Sequence, residues 1–480
     1  MAAPTFYWHD YETFGADPSR DRPVQFAGLR TDADLNPIGE PLTLFARPAD
    51  DYLPHPEACL VTGITPQRAA AEGVPEAEFI TRIHEELAQP GTCGVGYNSL
   101  RFDDEITRYT LYRNFFDPYA REWQNGNSRW DLIDVVRTAE ALRPEGIEWP
   151  LREDGLVSFR LEDLTAANGI AHAGAHDALV DVRATLAVAK LVRDRQPKLF
   201  AYLRDQRDKR AARDALDVVN LRPVLHISGK FGAARHNCSL IVPLAAHPAN
   251  RNEVICYDLA EDPQPLIDGD AEILRELLYT RGDALPEGVR RPGLKSVHLN
   301  RCPVLLPPKM LDGRLAERAG LDGDRCRQHL ATLRAWRERD PQAIADKLAA
   351  IHTRPADSER RDPDLALYGG FLSDADRRSC DAVRATPPGE LAEAVFAFED
   401  ARLPELLFRY RARNYPETLA PEEREAWEAF RYQRLSGEDG FGGLDVEQFN
   451  ARLEALAADA DPRAAALLAD LQAWGDSLLA

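Results

Sequence analysis

Residues 5–14 read TFYWHDYETF, an apolar run that ends in an acidic triplet. The run predicts a β-strand, and because side chains alternate between the two faces of a strand, Asp10 and Glu12 share one face at its end. Two like charges placed so close repel unless a cation lies between them, and carboxylate oxygens favour Mg²⁺ or Mn²⁺ over zinc. With 79 acidic residues among 480, such triplets also arise by chance, so two solvated acids are the alternative.

The segments around this run predict a mixed sheet with flanking helices. Strands are predicted at Thr5–Trp8, Val24–Leu29, Leu42–Phe45 and Cys93–Tyr97. Helical periodicity is present at Glu76–Leu87, Asp103–Tyr112, Leu132–Leu142, Phe159–Asn168 and Asp177–Arg193. Because strands come first and helices follow, with a βαβ step between them, we predict an α/β domain over residues 1–196.

Two further domains are predicted after the Gln196-Pro197 boundary. A helix at 198–214 is followed by β-type segments at Val224–Ser228, Ser239–Val242, Val254–Tyr257 and Ser296–Leu299. Residues 197–350 therefore predict a small β-rich domain. Residues 351–480 predict an all-α domain, with helices at Leu391–Phe398, Pro404–Arg413, Pro421–Leu435 and a final Ala-rich pair.

Composition and charge limit the class of protein. The chain is 44% apolar and 29% charged, which is typical of a globular protein with several domains. The start lacks a signal-peptide pattern and no stretch is apolar enough to span a membrane, so we expect a cytoplasmic protein. Seven scattered cysteines form no Cys-x-x-Cys pair, which argues against a zinc ribbon or a disulfide scaffold.

The net charge of −20 argues against binding of a polyanion by bulk electrostatics. A nucleic acid would need a local basic surface. Residues 190–214 are one candidate, because nine Lys and Arg outnumber four Asp there. A solvated helix face explains the same run equally well.

Two later segments carry residues suited to the same chemistry as Asp10 and Glu12. In the segment Asn98-Ser-Leu-Arg-Phe-Asp103-Asp104, both acids suit a helix N-terminus, so simple capping is the alternative for either. The segment His172-Ala-Gly-Ala-His176-Asp-Ala-Leu-Val-Asp181 is a small-residue loop that enters a helix. A loop histidine there could take a proton from water, because its ordinary pKa lies near neutral pH. Together these residue types predict a site that hydrolyses phosphodiesters.

The three motifs, in this order, resemble the histidine-bearing branch of the DEDD-type exonucleases. That branch has Asp-x-Glu on the first strand, Asn-x-x-x-Phe-Asp ahead of a helix, and His-x-x-x-x-Asp at the last helix. The matching residues here are Asp10, Glu12, Asn98, Phe102, Asp103, His176 and Asp181. The resemblance selects Asp103 over Asp104 and His176 over His172. It implies that Asp10, Glu12, Asp103 and Asp181 hold two Mg²⁺ ions, with Mn²⁺ able to substitute, and that His176 is the general base.

Longer runs resemble the bacterial exodeoxyribonuclease I family. They lie at residues 8–15, 101–105, 127–132, 142–147, 158–161 and 410–414. The resemblance implies a ribonuclease H-like exonuclease domain, an SH3-like β-rich domain and a helical C-terminal domain. It further implies a monomer that degrades single-stranded DNA from the 3′ end, releases 5′-mononucleotides in DNA repair and recombination, and binds the acidic tail of single-strand DNA-binding protein (SSB). Glu12 and Arg160 would contact the substrate.

The residues of the DNA path are a separate prediction. Single-stranded DNA is held by stacking on aromatic rings and by a basic groove. The candidates are Arg113, Arg129, Arg143, Trp130 and the 190–214 segment, although Trp130 also suits the core. The basic and aromatic run Phe408–Arg413 predicts either a site for the SSB tail or a solvated helix.

Two rival functions compete with this interpretation. An RNA-trimming enzyme or a proofreading subunit could use the same catalytic domain, but such chains are typically short. A non-catalytic DNA-binding scaffold could have kept the fold and lost the chemistry. Retention of all five catalytic residues argues against the scaffold.

Overall fold

The computed structural model describes residues 4–174, 176–281, 284–353 and 362–479. The chain forms two compact units. Unit 1 comprises residues 1–128, 172–186 and 359–480, and unit 2 comprises residues 129–171 and 187–358. Within the described ranges, the helices are all too short or too polar to cross a bilayer.

The strands alternate with helices at first and then form a second group. Their bounds are β1 Thr5–Thr13, β2 Pro23–Thr31, β3 Leu42–Phe45, β4 Thr92–Gly96, β5 Ser128–Asp131, β6 Val224–Ile227, β7 Cys238–Ala246, β8 Glu253–Asp258, β9 Leu294–His298 and β10 Val304–Leu306.

The helices belong to three stretches of chain. The first stretch has α1 Pro56–Thr62, α2 Pro66–Glu72, α3 Glu76–Leu87, α4 Asp103–Arg113, α5 Leu132–Leu142, α6 Leu161–Ala167 and α7 Ala178–Arg195. The second has α8 Pro197–Asp205, α9 Lys209–Ala215, α10 Gln264–Asp268, α11 Ala271–Tyr279, α12 Gly313–Arg318, α13 Gly323–Arg339 and α14 Pro341–His352. The third has α15 Asp374–Ala385, α16 Leu403–Asn414, α17 Pro421–Leu435, α18 Val446–Ala457 and α19 Pro462–Leu479.

Unit 1 contains a mixed sheet whose strands lie in the order β3-β2-β1-β4. Strand β1 runs antiparallel to β2 and parallel to β4, so it has a neighbour on each side. Its residues Phe6, Tyr7, Trp8 and Tyr11 are all buried, on both faces of the strand. This is why the sequence of β1 is an almost continuous apolar run rather than an alternating one.

Helices cover this sheet in the way the periodicity predicts. On α3 the buried positions Phe79, Ile80, Ile83 and Leu87 recur with helical spacing and form one core with Tyr11 and Phe26 of the sheet. The prediction of a mixed-sheet α/β fold is confirmed.

Unit 2 contains an antiparallel sheet in the order β10-β6-β7-β8-β9. Its core joins Val242 and Ile255 of the sheet to Leu333 of α13 and Leu348 of α14. The β-rich character predicted for residues 197–350 is therefore present, but helices α10 to α14 complete it. The sequence prediction missed these helices.

The predicted helix at Leu391–Phe398 is wrong. A 3₁₀ turn at Pro388–Glu390 precedes this segment, and residues 394–398 are not helical. Phe396 and Phe398 pack against the cluster that contains Leu391, whereas the preceding Val395 is 96% exposed. The apolar side chains alternate, as they do on an extended backbone.

The predicted helix at 198–214 is two helices, α8 and α9. Asp208 ends their continuity, because its carboxylate accepts the backbone N–H groups of Arg210 and Ala211 and caps α9. Helix α6 also begins later than predicted, at Leu161, with Arg160 at the N-cap position.

Candidate active site

The end of β1 positions the first two carboxylates. Asp10 lies opposite Ala27 of β2, and Glu12 lies opposite Gln25. Glu12 is buried, and the strand register shifts immediately after it. The predicted shared face of Asp10 and Glu12 follows from this strand geometry.

Asp103 joins this pair at the first turn of α4. Its Oδ1 accepts the backbone N–H of Tyr11 at 3.1 Å. Tyr11 is the residue between Asp10 and Glu12. The Thr107 hydroxyl donates to the backbone carbonyl of Asp103 at 2.8 Å and lies 3.0 Å from the Tyr11 hydroxyl. These contacts hold the start of α4 against β1.

Asp104, the neighbouring acid, has a different environment. Its Oδ1 accepts from Nη2 of Arg121 at 2.5 Å, and both side chains are buried. Asp104 thus forms an internal ion pair, while Asp103 faces the Asp10 and Glu12 strand.

The start of α7 brings the last part of the cluster. Asp181 Oδ2 accepts the backbone N–H of His176 at 3.3 Å, and Oδ1 lies 2.5 Å from Nε2 of His172. His176 has φ of 70°, a left-handed conformation that is uncommon outside glycine. Potential ligand atoms of Glu12, His176 and Asp181 all lie within 4.8 Å of one another. The structure therefore brings both loop histidines to Asp181.

The buried carboxylates raise each other's pKa. Burial raises the pKa of Asp10 well above its usual range, and the charges of Asp103, Glu12 and Asp181 add to the effect. Burial also raises the pKa of Glu12, to about 8, helped by Asp181, Asp103 and Asp177. So many acidic oxygens in one buried place are stable in charged form only beside a cation, and a hard divalent ion fits this donor set.

Gln25 and Asp177 belong to the same region, and sequence reasoning missed the role of Gln25. Its side chain contacts both Asp177 and the N-terminus of α7. A polar residue inside the apolar segment Val24–Leu29 was the signal that could have identified it.

Two of the predicted DNA contacts are corrected by their placement. The Arg113 side chain is 2% exposed and its guanidinium binds Glu76 at 2.9 Å. Arg129 is buried, with Nη2 donating to the backbone carbonyl of Asn300 at 2.7 Å. Both arginines hold internal structure, so neither offers a free guanidinium to DNA.

The other predicted contacts differ in exposure. The Arg160 side chain is 71% exposed, 3.7 Å from Glu162. Arg143 is exposed on the rim of a cavity of about 270 Å³ that Arg314 and Arg318 also line. Trp130 is a core residue, packed 5.1 Å from the ring of Phe200. In the 190–214 segment, the exposed cations are Arg195, Lys198, Lys209, Arg210 and Arg213.

The run Phe408–Arg413 is neither a solvated helix nor an exposed basic site. It lies on α16, where Arg409 binds Asp362 and Asp364, each at 2.8 Å, and Arg411 binds Glu423 at 2.6 Å. The predictions of an SSB-tail site and of a solvated helix are therefore both wrong for this run, because its arginines form ion pairs with internal carboxylates.

Comparison with known proteins gives matches over nearly the whole chain. Family models described as "Exonuclease", "Exonuclease I SH3-like domain" and "Exonuclease I C-terminal domain" match residues 7–189, 207–354 and 361–478. Exodeoxyribonuclease I of Escherichia coli strain K12 is 50% identical over 438 residues, covering 90% of each chain.

Solved structures are similar over the same extent. A moderately thermophilic Exonuclease I from Methylocaldum szegediense is 55% identical, with a TM-score of 0.93 and full coverage of both chains. A zinc-bound complex of E. coli ExoI with ssDNA is 47% identical, with a TM-score of 0.93 and full coverage of both. A structure described as SSB/Exonuclease I with an inhibitor is also 47% identical, with a TM-score of 0.90, covering 99% of this chain and all of that one.

Proposed function

The chain belongs to the exodeoxyribonuclease I family, and we propose that Asp10, Glu12, Asp103, His176 and Asp181 perform its reaction. As a family member it is a hydrolase that degrades single-stranded DNA from the 3′ end and releases 5′-mononucleotides, a reaction of DNA repair and recombination. The observation that supports the site is convergence: Asp103 contacts the peptide between Asp10 and Glu12, and Glu12, His176 and Asp181 meet within 4.8 Å.

The metal proposed for this site is a pair of Mg²⁺ ions, with Mn²⁺ able to substitute. Metal dependence is typical of the family, and the proposed ligands are the carboxylates of Asp10, Glu12, Asp103 and Asp181, of which Glu12 and Asp181 lie within 4.8 Å of each other. Oxygen donors of this kind suit Mg²⁺ better than softer metals. Such ions supply the positive charge that offsets the negative charge building up on the phosphate during hydrolysis.

His176 is proposed as the general base. Its ring nitrogen lies close to Glu12 and Asp181, and imidazole accepts a proton near neutral pH. The hydrogen bond from its backbone N–H to Asp181 fixes the loop, so the ring stays beside the carboxylates. From there it takes the proton of the attacking water.

The DNA contacts proposed are Arg160, Arg143 and the exposed cations of residues 190–214. All lie in unit 2, and their charges suit a phosphate backbone. Arg113 and Arg129 are not among them, because their guanidinium groups bind Glu76 and the Asn300 carbonyl. Glu12 is also proposed as a substrate contact, because its carboxylate lies within 4.8 Å of ligand atoms of His176 and Asp181.

The SSB tail is proposed to bind the cavity beside Arg143. Arg143, Arg314 and Arg318 supply positive charge there, and Leu142 and Leu315 supply apolar surface. A labelled acidic C-terminal peptide should bind at least about tenfold more weakly to Arg143→Glu and Arg314→Glu, because each change places like charge against it. Arg377→Glu, on α15 of unit 1, is the control. Equal affinity for all variants would reject this surface.

We also propose that the chain is a cytoplasmic monomer.

The test of the catalytic proposal is digestion of labelled oligonucleotides. Single-stranded DNA with a free 3′ end should be consumed with Mg²⁺ and spared with EDTA, while duplex DNA and RNA should be consumed far more slowly. Asp10→Ala and Asp181→Ala should abolish hydrolysis and leave DNA binding largely intact. Glu40→Ala, at an exposed acid outside the site, is the matched control. Undiminished turnover of Asp181→Ala would sink the site assignment, and a preference for RNA would sink the substrate.

A further inference from the structure

Gln25 makes two hydrogen bonds that cross from the sheet to α7. It lies on β2 directly opposite Glu12 and is 2% exposed. Its Oε1 accepts the backbone N–H of Ala178 at 3.1 Å, and its Nε2 donates to Oδ2 of Asp177 at 3.2 Å. Both polar atoms of the amide are therefore directed at the first turn of α7.

Asp177 links the side chain of Gln25 to Asp181 through hydrogen bonds in the first turn of α7. Its other oxygen, Oδ1, accepts the backbone N–H groups of Leu179 and Val180 at 3.1 and 3.3 Å, which caps α7. Its carbonyl accepts the N–H of Asp181 at 3.0 Å. Asp181 thus lies one helical turn beyond the two atoms that Gln25 holds.

Glu12 and Asp181 need such a connection because nothing in their own charges keeps them together. They lie on different elements, β1 and α7, and two carboxylates repel. A cation site needs their oxygens at a fixed separation before the ion arrives. Gln25 supplies a neutral contact between the start of α7 and β2, the strand that pairs with β1.

We propose that Gln25 is a positioning residue that fixes α7 against β2, so that Asp181 and Glu12 form one preorganised cation site. This inference rests on the proposed metal-dependent function. Glutamine suits the position because its amide carries both a donor for Asp177 and an acceptor for Ala178. Glutamate lacks the donor and would add a like charge beside Asp177, and leucine lacks both groups.

The expected effect follows from what such residues do elsewhere. Removing a group that orients a metal ligand typically weakens metal affinity or activity by about 10- to 100-fold. We expect Gln25→Leu and Gln25→Glu to weaken Mn²⁺ binding within this range and to lower kcat. The KM for single-stranded DNA should change little, because Gln25 is buried away from solvent.

The experiment measures Mn²⁺ binding directly, from the electron paramagnetic resonance signal of the free ion, in the full-length protein. Gln25→Glu distinguishes the positioning role of Gln25 from an effect of charge alone on Mn²⁺ binding. Added negative charge alone would tighten Mn²⁺ binding, whereas loss of the contact to Asp177 weakens it. Gln67→Leu is the control, because it removes a glutamine that donates to the Asp470 carbonyl of the same unit, on a different part of its surface.

The outcomes are distinct. Mn²⁺ affinity of Gln25→Leu equal to that of the wild type would overturn the inference, as would tighter binding by Gln25→Glu. A lower melting temperature in EDTA with unchanged Mn²⁺ affinity would also overturn it, because that is a purely structural role. If Gln25→Leu fails to fold, the nearly isosteric Gln25→Glu decides. If the wild type itself binds no Mn²⁺, the proposed function fails instead.

Discussion

His176 and His172 approach the same carboxylate in different ways. His176 contacts Asp181 through its backbone and brings its ring toward Glu12, whereas His172 contacts Asp181 directly through Nε2. The sequence motif alone selected His176. The structure shows that His172 is a neighbour of the site rather than an unrelated loop residue.

His176→Ala should lower the rate of DNA hydrolysis by about 10²-fold or more, the usual contribution of a general base, and should spare metal binding. Single-turnover digestion of 3′-labelled single-stranded DNA measures the rate. His172→Ala is the paired variant, and its loss should be the smaller of the two. A larger loss for His172→Ala would move the role of base to that residue.

Glu12 should make the metal-free protein less stable as pH rises. Its pKa is raised in the folded state, from an ordinary 4.5 to about 8, so the folded protein keeps a proton that the unfolded chain releases. Stability is therefore lost between about pH 4.5 and 8. Glu12→Gln removes this contribution, so its melting temperature in EDTA should exceed that of the wild type by more at pH 8 than at pH 5.

Added Mg²⁺ serves as the control for the same titration. It should stabilise the wild type more at pH 8, where a larger fraction of Glu12 is ionised, than at pH 5, and it should stabilise Glu12→Gln less. Parallel melting curves for the two proteins across this pH range would contradict the assignment of Glu12.

At the scale of elements, α16 shows how charge can mislead a sequence interpretation. Arg413 binds Asp51 and Asp364, each at 2.7 Å, and Arg434 of α17 binds Asp362 at 2.6 Å. The arginine charges hold the pKa of Asp364 well below its usual range. This buried network joins the segment before α1 to the helices of the third stretch, all within unit 1.

Asp364→Ala should destabilise the protein strongly, because it removes one of the two carboxylate partners that each of the buried arginines Arg409 and Arg413 has. The expected loss is about 3–5 kcal/mol, the usual cost of breaking a buried pair from one side. Urea denaturation, followed by far-ultraviolet circular dichroism, measures it. The exposed pair of Glu78 and Arg82 is the comparison, and Glu78→Ala should cost less than about 1 kcal/mol. Equal effects would show that the network adds no stability.

Periodicity predicted most of the elements that position the site. The apolar run of β1 and the helical spacing of apolar residues in α3 are patterns of neighbouring residues, so the sequence alone predicts both elements. The segment Leu391–Phe398 failed because its apolar residues suit an extended chain as well as a helix. Helices α11, α13 and α14 were missed, although Asp270, Asp322 and Asp340 cap them.

Site residues followed a similar division. Asp10 and Glu12 could be paired from strand geometry, but the hydrogen bond that brings Asp103 to Tyr11 joins residues 92 positions apart. Arg113 and Arg129 were wrong because their partners, Glu76 and Asn300, lie 37 and 171 positions away. No neighbouring residue in the sequence indicates that such an arginine already binds a distant partner in the fold.

At the scale of the whole molecule, the charge of −20 makes DNA binding depend on few cations. The exposed residues Lys209, Arg210 and Arg213 are the densest such group in the 190–214 segment. Each phosphate contact with single-stranded DNA contributes about 0.7 to the slope of log affinity against log salt concentration. Neutralising all three to Gln should therefore reduce the slope by up to about 2, measured by fluorescence anisotropy.

The control for this prediction is neutralisation of three exposed arginines in unit 1, Arg377, Arg378 and Arg424. Their removal changes net charge equally and should leave the slope nearly unchanged. The same reduction in both variants would mean that bulk charge, rather than a local surface, governs DNA affinity.

The contact between Asp51 and Arg413 has a consequence for how the protein is made. These residues are 362 positions apart, and a ribosome adding about 5–20 residues per second needs roughly 20–70 s to travel between them. During that interval Asp51 has left the ribosome while its arginine does not yet exist. Unit 1, which contains the catalytic residues, therefore cannot complete this buried network until α16 has been synthesised.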